Sequence, residues 1–146
     1  MFSIRPATQA DSSAIAALYT AVGYPATAAE MSARLSRVIT DPAHGVLVAE
    51  LTADRTVAGA VHVAIYPILD SDDAAQIIGL AVAAPQQRQG LGRALLERAE
   101  RWARERHCRA VHLRTNILRT DSHSFYARLG YTNAKTQFVF QKKLPR

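Results

Sequence analysis

The sequence predicts a mixed α/β (α+β) fold in a single domain, residues 1–146, with helices on both faces of a central sheet. The length suits one domain that buries a substantial core. A composition of 49% hydrophobic and 21% charged residues is typical of a globular chain rather than a disordered one. The apolar period also changes repeatedly between those of a helix and a strand, which predicts the order β-α-α-β-β-β-α-β-α-β-β.

The first third of the chain predicts a strand followed by two helices. Residues 2–5 alternate between apolar and polar side chains, as in a short strand that ends at a proline. Thr8, with an acidic Asp11 three residues on, resembles a helix N-cap, and Gly23 ends that helix. Thr27–Glu30 reads as a capping box, which opens the second helix.

The middle of the chain predicts three strands. Residues 46–51 and 57–66 are apolar runs joined by a short turn at 53–55, so these strands should pair antiparallel. Residues 75–84 are apolar almost without interruption, which is expected of a central strand that is buried on both faces. Pro85 ends this third strand.

The last part of the chain predicts two helices and further strands. Residues 90–107 carry an apolar stripe at helical spacing, and 110–115 read as a strand. The strand at 110–115 follows the strand at 75–84 and a helix, so it should lie parallel to the 75–84 strand. We therefore expect one parallel βαβ unit in a mostly antiparallel sheet. A helix over 121–129 and one or two closing strands over 131–144 complete the prediction.

Charge is divided unevenly along the chain. Residues 1–86 hold four Lys or Arg and eight Asp or Glu, a net charge of −4. Residues 87–146 hold fourteen and four, a net charge of +10. This basic half predicts a polyanionic partner, for which nucleic acid, an acidic membrane surface and a phosphorylated cofactor are the three candidates.

Several classes of protein are excluded by what the sequence lacks. A single cysteine, Cys108, excludes an intrachain disulfide framework and a multi-cysteine zinc site. The five histidines have no paired metal-ligand spacing, so no metal is expected. No apolar run approaches the ~20 residues of a membrane span. The first residues do not resemble a signal peptide, so we expect a cytoplasmic protein.

The most informative segment runs from the end of the third strand of the middle region into a helix. Its turn holds Gly90 and Gly92, where a phosphate can approach the backbone, and Arg88 and Arg93 add positive charge. The N–H groups at a helix start bind phosphates. Leu95 stands where a dinucleotide fingerprint needs its third glycine, and a P-loop Gly-Lys-Ser/Thr is absent from the sequence.

The spacing Gln87-x-x-Gly90-x-Gly92 resembles the acetyl-CoA-binding motif of the GNAT superfamily of N-acetyltransferases. Residues 124–131, Ser-Phe-Tyr-Ala-Arg-Leu-Gly-Tyr, are similar to a second motif of that family, and the resemblance extends from Ile4 to Leu144. It implies a GNAT-like fold with the βαβ unit at the cofactor site. It also implies direct transfer of the acetyl group of acetyl-CoA to a primary amine in a ternary complex.

The resemblance also implies which residues act. Acetyl-CoA should contact Leu80, Ala81, Val82, Gln87, Arg88, Gln89, Gly90, Leu91, Gly92, Arg93, Asn116, Arg119 and Phe125. Relatives often carry an asparagine where this chain has Arg119, so Asn116 is expected to supply the amide and Arg119 to meet a CoA phosphate.

Tyr126 matches the general acid of the family. A phenol with a pKa of about 10 can protonate a leaving thiolate whose pKa is about 8.5 or above. The competing interpretation is that Tyr126 only packs beside Phe125 on an amphipathic helix. The N–H of Val82 is expected, by family analogy, to polarise the thioester carbonyl.

The general base is left open. Many relatives have a carboxylate on the central strand, but residues 76–79 contain none. His62, Asp72, Asp73 and a water chain are the candidates, and each side chain also has an ordinary structural interpretation. The acidic loop 70–73 could attract a cationic acceptor.

Two alternatives to the enzyme remain. One is a non-catalytic acyl-CoA-binding sensor or subunit of the same fold, favoured by the missing carboxylate and opposed by Tyr126. The other is a nucleic-acid-binding module that uses the basic half, opposed by the scarcity of aromatics among the arginines. We expect neither a nucleic-acid nor a membrane partner. By resemblance to the family, we expect a homodimer that acts on a small-molecule or peptidyl amine.

Overall fold

The computed structural model describes residues 1–115 and 117–145. The chain divides into two compact units, Met1–Arg114 and a second that starts at Thr115. The first unit holds the sheet and three helices, and the second holds the fourth helix. Among the described residues, no helix combines the length and the apolar character that crossing a membrane would require.

The first unit is built on a mixed sheet. Its elements, with the one helix of the second unit, are β1 Phe2–Pro6, α1 Ser12–Ala21, α2 Ala28–Val38, β2 His44–Leu51, β3 Val57–Ile65, β4 Ala74–Val82, α3 Leu91–Glu105, β5 Ala110–Leu113 and α4 Thr120–Arg128. The five strands lie in the order β1-β2-β3-β4-β5. All pairs are antiparallel except β4–β5, which is parallel, so the predicted βαβ unit is confirmed.

Helices cover both faces of this sheet, as predicted. On one face, α1 and α2 pack through residues such as Ile15 and Leu35 against Val48, Ala60 and Ala81 of the strands. On the other face lies α3, which comes closest to the sheet at Gly45. A Cβ built on Gly45 in β2 would stand 2.8 Å from Nε1 of Trp102. Leu91, Leu95 and Leu96 of α3 are fully buried there.

The predicted cap of the second helix is confirmed, whereas Thr8 caps a short 3₁₀ turn, Gln9–Asp11, and the N-cap of α1 itself is Asp11. The backbone N–H of Thr8 donates to Oδ2 of Asp11 at 2.8 Å, and a short 3₁₀ turn precedes α1. Thr27 and Glu30 form the predicted capping box. The Glu30 N–H donates to Oγ1 of Thr27 at 3.0 Å, and the Thr27 N–H donates to Oε1 of Glu30 at 2.9 Å. Local hydrogen bonds of this kind need only neighbouring residues, so the sequence suffices to predict them.

The predicted closing strands over 131–144 are wrong for the described residues. Residues 131–145 carry neither strand nor helix. Phe138, Val139 and Phe140 are 90%, 88% and 93% exposed. Alternating apolar residues make a segment compatible with a strand, but a strand also requires hydrogen bonds to a neighbour. The described sheet ends at β5.

The prediction that the central strand is buried on both faces is only partly right. The register shifts between His62 and Val63, which pair with Gly79 and Ile77, so Ile78 is left without a partner in β3. Ile78 is 46% exposed. A bulge of this kind displaces one residue from the alternation of the strand and locally disrupts the ladder. Nothing in an uninterrupted apolar run reveals where a bulge will fall.

Candidate functional site

The turn between β4 and α3 presents a row of backbone amides. Gly90 is the N-cap of α3, with a positive φ of 88° that suits glycine. The first intrahelical bond is donated by Ala94 N to Gly90 O at 3.0 Å. The amides of Leu91, Gly92 and Arg93 therefore precede the hydrogen-bonded part of the helix. Together with the positive end of the helix dipole they form a site suited to an anion.

Two glutamines fix the shape of this turn. Nε2 of Gln87 donates to the carbonyl of Val82, and Nε2 of Gln89 donates to the carbonyl of Pro85, both at 3.2 Å. Both side chains were expected to contact a cofactor. The structure shows them bound to the carbonyl groups of Val82, at the end of β4, and of Pro85, and their contacts with a cofactor stay a prediction. Sequence reasoning missed this role because the carbonyl that a side-chain amide reaches depends on the fold of the turn.

The two arginines of the turn differ in their surroundings. Nε of Arg93 lies 2.8 Å from Oε1 of Glu97, one helical turn along an exposed face. Such exposed i,i+4 pairs are worth about 0.3–0.5 kcal/mol, so a phosphate could readily displace Glu97. Arg88 is exposed, has a positive φ of 66°, and takes part in no ion pair among the described residues.

The backbone of β4 has an open edge where it leads into the turn. The β4–β5 pairing ends at Ile77 and Leu113, whereas β3 follows β4 as far as Val82. The amide of Ala83 donates to the carbonyl of Ala58 at 2.8 Å. Because hydrogen-bonding positions alternate in an antiparallel pair, Leu80 and Val82 direct their backbone groups away from β3. Ala81, which lies between them, has its side chain buried in the core.

The remaining predicted residues lie in the second unit. Tyr126 on α4 is half-buried, with its ring edge-on to Phe125 at 5.3 Å and to Tyr131 at 6.1 Å between centroids. Burial raises the pKa of Tyr126, and the charge of Arg119 opposes that rise. The phenol is therefore protonated at neutral pH. Arg119 is the N-cap of α4. Asn116 lies outside the described residues.

A pair of histidines joins β2 to β3. Nδ1 of His44 lies 2.9 Å from Nε2 of His62, and Nε2 of His44 lies 3.9 Å from Oδ2 of Asp41. The ring of Tyr66 stands edge-on to His44 at 6.3 Å. Burial, with a smaller effect of His44, lowers the pKa of His62 to about 4. His62 was a candidate base from the sequence, but its contact with His44 could be found only from the register of the two strands.

Further polar residues continue across the sheet. Nε2 of Gln76 lies 3.3 Å from Nδ1 of His112, and Arg114 donates to Oε1 of Gln76 at 3.4 Å. Asp72, in the acidic loop, lies 3.7 Å from Nε of Arg109. Part of that acidic loop is thus paired with a basic residue just before β5. Within the described residues there is no cluster of three or more potential metal ligands.

These elements match a known family. The family model described as the acetyltransferase (GNAT) family matches residues 12–131. The chain belongs to this family. Its members bind acetyl-CoA, and the match includes both the β4–α3 turn and the helix that carries Tyr126.

Solved structures share the fold at low sequence identity. A transcriptional regulator from Bacillus halodurans C-125 is 21% identical with a TM-score of 0.88, over 97% of this chain and 100% of that chain. The aminoglycoside antibiotic 6'-N-acetyltransferase AAC(6')-Ih from Acinetobacter baumannii is 19% identical with a TM-score of 0.85, over 99% and 100%. AAC(6')-Iy, in complex with a CoA-containing bisubstrate analog, is 16% identical with a TM-score of 0.86, over 99% of both.

Proposed function

We propose that residues 1–146 form one N-acetyltransferase domain, which transfers the acetyl group of acetyl-CoA to a primary amine of a small molecule or peptide. The observation that carries this proposal is the open edge of Leu80 and Val82 leading directly into the free amides of α3. Membership of the GNAT family supports it. So does the CoA-containing analog bound by a protein of the same fold.

In this proposal, acetyl-CoA lies along the β4 edge and over the start of α3. The backbone of Leu80 and Val82 meets the amide-bearing arm of the ligand, as a neighbouring strand would. The amides of Leu91, Gly92 and Arg93 bind the pyrophosphate. Arg88 adds charge, and the side chains of Gln87 and Gln89 hold the loop in shape. We further propose that Asn116, Arg119 and Phe125 contact acetyl-CoA.

The proposed reaction is a direct transfer in a ternary complex. The amine nitrogen attacks the thioester carbon while the Val82 N–H stabilises the negative charge on the carbonyl oxygen. The new C–N bond forms, the C–S bond breaks, and the amine loses a proton. The departing thiolate takes a proton from the Tyr126 hydroxyl. The raised pKa of Tyr126 favours this role, since it ensures that the phenol carries its proton at neutral pH.

Replacing Tyr126 by Phe tests the proposed acid. We expect Tyr126→Phe to lower kcat at least about tenfold, because the thiolate loses its proton donor while the packing of the ring is kept. The measurement is release of CoA thiol under conditions where chemistry limits the rate. Tyr131→Phe, on the ring adjacent to Tyr126, is the matched control and should keep kcat within about twofold. Equal kcat for the wild type and Tyr126→Phe would remove the assignment.

The alternatives can be separated by binding and turnover. Calorimetry with acetyl-CoA, followed by thiol release over an amino sugar, an aminoglycoside, a polyamine and a lysine peptide, tests the enzyme. Acetyl-CoA binding without turnover on any amine would favour the sensor or subunit. Salt-dependent binding of DNA or RNA without acetyl-CoA binding would favour the nucleic-acid module. The Bacillus halodurans structure of the same fold is named a transcriptional regulator, which is why this alternative is tested.

We also propose a cytoplasmic location, no nucleic-acid or membrane partner, and a homodimer. The support for a dimer is the exposed apolar run 138–140, in which Phe138, Val139 and Phe140 are 90%, 88% and 93% exposed. Monomeric proteins rarely present large contiguous apolar patches to water. A second copy of this chain is the occupant that we propose for that segment.

A further inference from the structure

The pair His44–His62 lies on the face of the sheet that α1 and α2 cover. Val46 and Ala60, each two residues away along β2 and β3, pack into the core of that face. Because side chains alternate along a strand, His44 and His62 point to the same side. Their 2.9 Å contact agrees with this. His62 is half-buried, so the pair lies where the cover of the two helices thins out.

The strand next to His62 is the one that leads to the proposed acetyl-CoA site. His62 pairs with Gly79 of β4, and Val82 follows three residues later on the same strand. The bulge at Ile78 lies beside Gly79. A Cβ on Gly79 would stand 2.5 Å from the Tyr19 hydroxyl, so the absence of a side chain leaves room there for that hydroxyl. The neighbour of His62 on the strand that carries Val82 is thus a glycine over which the Tyr19 hydroxyl lies.

We propose that His62 accepts the proton of the acceptor amine and that His44 and Asp41 position it and take up the resulting charge. This inference rests on the proposed N-acetyltransferase function. It gives a role to the general base, for which β4 offers no carboxylate. His62 would be a catalytic residue, whereas His44 and Asp41 would act through it.

The separation of the groups suits transfer through one water. Three residues of a strand span roughly 10 Å, which is the distance along β4 from Gly79 to Val82. A general base must lie within hydrogen-bond reach of the proton or one water away from it. In the proposed arrangement the acceptor amine lies over the strand between Gly79 and Val82, and one bridging water joins its nitrogen to the His62 imidazole.

The proton balance closes within the cluster. Nε2 of His62 faces Nδ1 of His44, so Nδ1 of His62 is the nitrogen that accepts the proton from the ammonium form of the acceptor. The proton on Nε2 of His62 then passes to Nδ1 of His44. The positive charge comes to rest on His44, whose Nε2 lies 3.9 Å from the carboxylate of Asp41. The amine is left neutral, and no other reactant is required.

The surroundings of the pair favour a neutral His62 before the reaction. The titratable groups that the structure shows near it are His44 at the start of β2, Asp41 three residues before that strand, Tyr66 just after β3, and Tyr19 of α1 over Gly79. Burial lowers the pKa of His62 to about 4. At pH 7 the imidazole is therefore unprotonated. Because so low a pKa disfavours a lasting imidazolium at His62, the proposed relay must pass the charge on to His44.

The test compares pH profiles of kcat for the wild type, His62→Gln and His44→Gln, with the most reactive amine of the panel. We expect His62→Gln to lower kcat at pH 7 at least about tenfold, the low end of a general-base contribution. The deficit should shrink as the pH rises toward the pKa of the amine, where the acceptor deprotonates unaided. His44→Gln should show the same pH dependence with a smaller loss. His112→Gln, on β5, is the control and should match the wild type.

The outcomes separate this inference from the proposed function. If the wild type binds acetyl-CoA but acetylates no amine, the proposed function fails. If the wild type is active and His62→Gln matches it at pH 7, only the role of His62 fails. A deficit in His62→Gln that is the same at every pH would indicate a structural role and would also overturn the inference. If His62→Gln no longer binds acetyl-CoA, the His44→Gln variant becomes the test. A pH profile of kcat for His44→Gln that matches the wild type would then overturn the proposed proton transfer from His62 to His44.

Discussion

At the scale of single residues, one arginine connects three elements at the start of the chain. Arg5 on β1 donates to both carboxylate oxygens of Asp11, at 2.8 and 2.9 Å, and to Glu50 on β2 at 2.6 Å. Asp11, just before α1, is only 7% exposed. The guanidinium lowers the pKa of both carboxyl groups. Arg5 therefore supplies the opposite charge that balances the buried Asp11 carboxylate.

Removing Arg5 should destabilise the protein. We expect Arg5→Met to lower the free energy of unfolding by about 1–3 kcal/mol, because it leaves the buried Asp11 carboxylate without its partner. Arg55→Met is the control: Arg55 also pairs with Glu50 but is 85% exposed, so the change should stay within about 0.5 kcal/mol. Urea unfolding followed by circular dichroism measures both. Equal losses in the two variants would contradict the role of Arg5.

The same contact predicts a pH dependence. The pKa of Asp11 is lowered in the folded state, so its stabilisation is fully present above the unfolded value of about 3.9 and is lost as the pH falls through the folded pKa. The Arg5→Met variant should therefore lose less stability than the wild type below about pH 4.

Residue-level predictions succeed where the partner is near in sequence. The capping box of Thr27 and Glu30 could be predicted, since it depends on local backbone chemistry. The His44–His62 contact could not, because it depends on strand register. The bond from Gln87 to the Val82 carbonyl could not be predicted either, although the two residues are close in sequence, because it depends on the detailed shape of the turn between them. The roles of Tyr126 and the cofactor contacts remain predictions.

At the scale of elements, α3 and β2 meet at a glycine. A Cβ on Gly45 would stand 2.8 Å from Nε1 and 2.9 Å from Cε2 of Trp102, and 3.1 Å from Cγ1 of Val63. Trp102 is 7% exposed and Val63 is fully buried. Neither side chain can move away freely, because protein interiors are close-packed. The absence of a side chain at Gly45 is thus what lets α3 lie so close to the sheet.

Adding one methyl group at this contact should be costly. We expect Gly45→Ala to lower the free energy of unfolding by about 1–3 kcal/mol through overpacking. A double-mutant cycle with Trp102→Leu, measured by chemical denaturation, provides the control. The cost of Gly45→Ala should fall when the indole is replaced by the smaller leucine. An unchanged cost in the Trp102→Leu background would place the strain elsewhere than at the indole.

The elements themselves were largely predictable, and the exceptions have a common cause. The helices and the first five strands follow from apolar period and turn residues, and so does the parallel β4–β5 pair. The bulge at Ile78 and the fate of residues 131–144 do not. Both depend on which strand lies next to the segment, and periodicity carries no information about that neighbour.

At the scale of the whole molecule, the division of charge now has a more specific interpretation. The basic half begins at the β4–α3 turn, where Arg88 and Arg93 flank the amides of α3. Some of the other arginines on that helix are satisfied locally. Arg101 lies 3.6 Å from Glu105, and the guanidinium of Arg106 stands 4.0 Å above the ring of Trp102. The basic residues behind the net charge of +10 therefore fall into two groups, those at the proposed phosphate site and those on an ordinary solvated helix face.

The exposed apolar run 138–140 leads to a prediction about assembly. If a second copy of the chain covers Phe138 and Phe140, the wild type should sediment as a dimer at micromolar concentration. We expect Phe138→Ser with Phe140→Ser to shift it to a monomer, because burial of each phenylalanine contributes about 1.5–3 kcal/mol. Tyr24→Ser, a change at a 66% exposed residue, is the control and should leave the dimer intact. A wild type that stays monomeric at every concentration, or a dimer that survives both serines, would refute this interface.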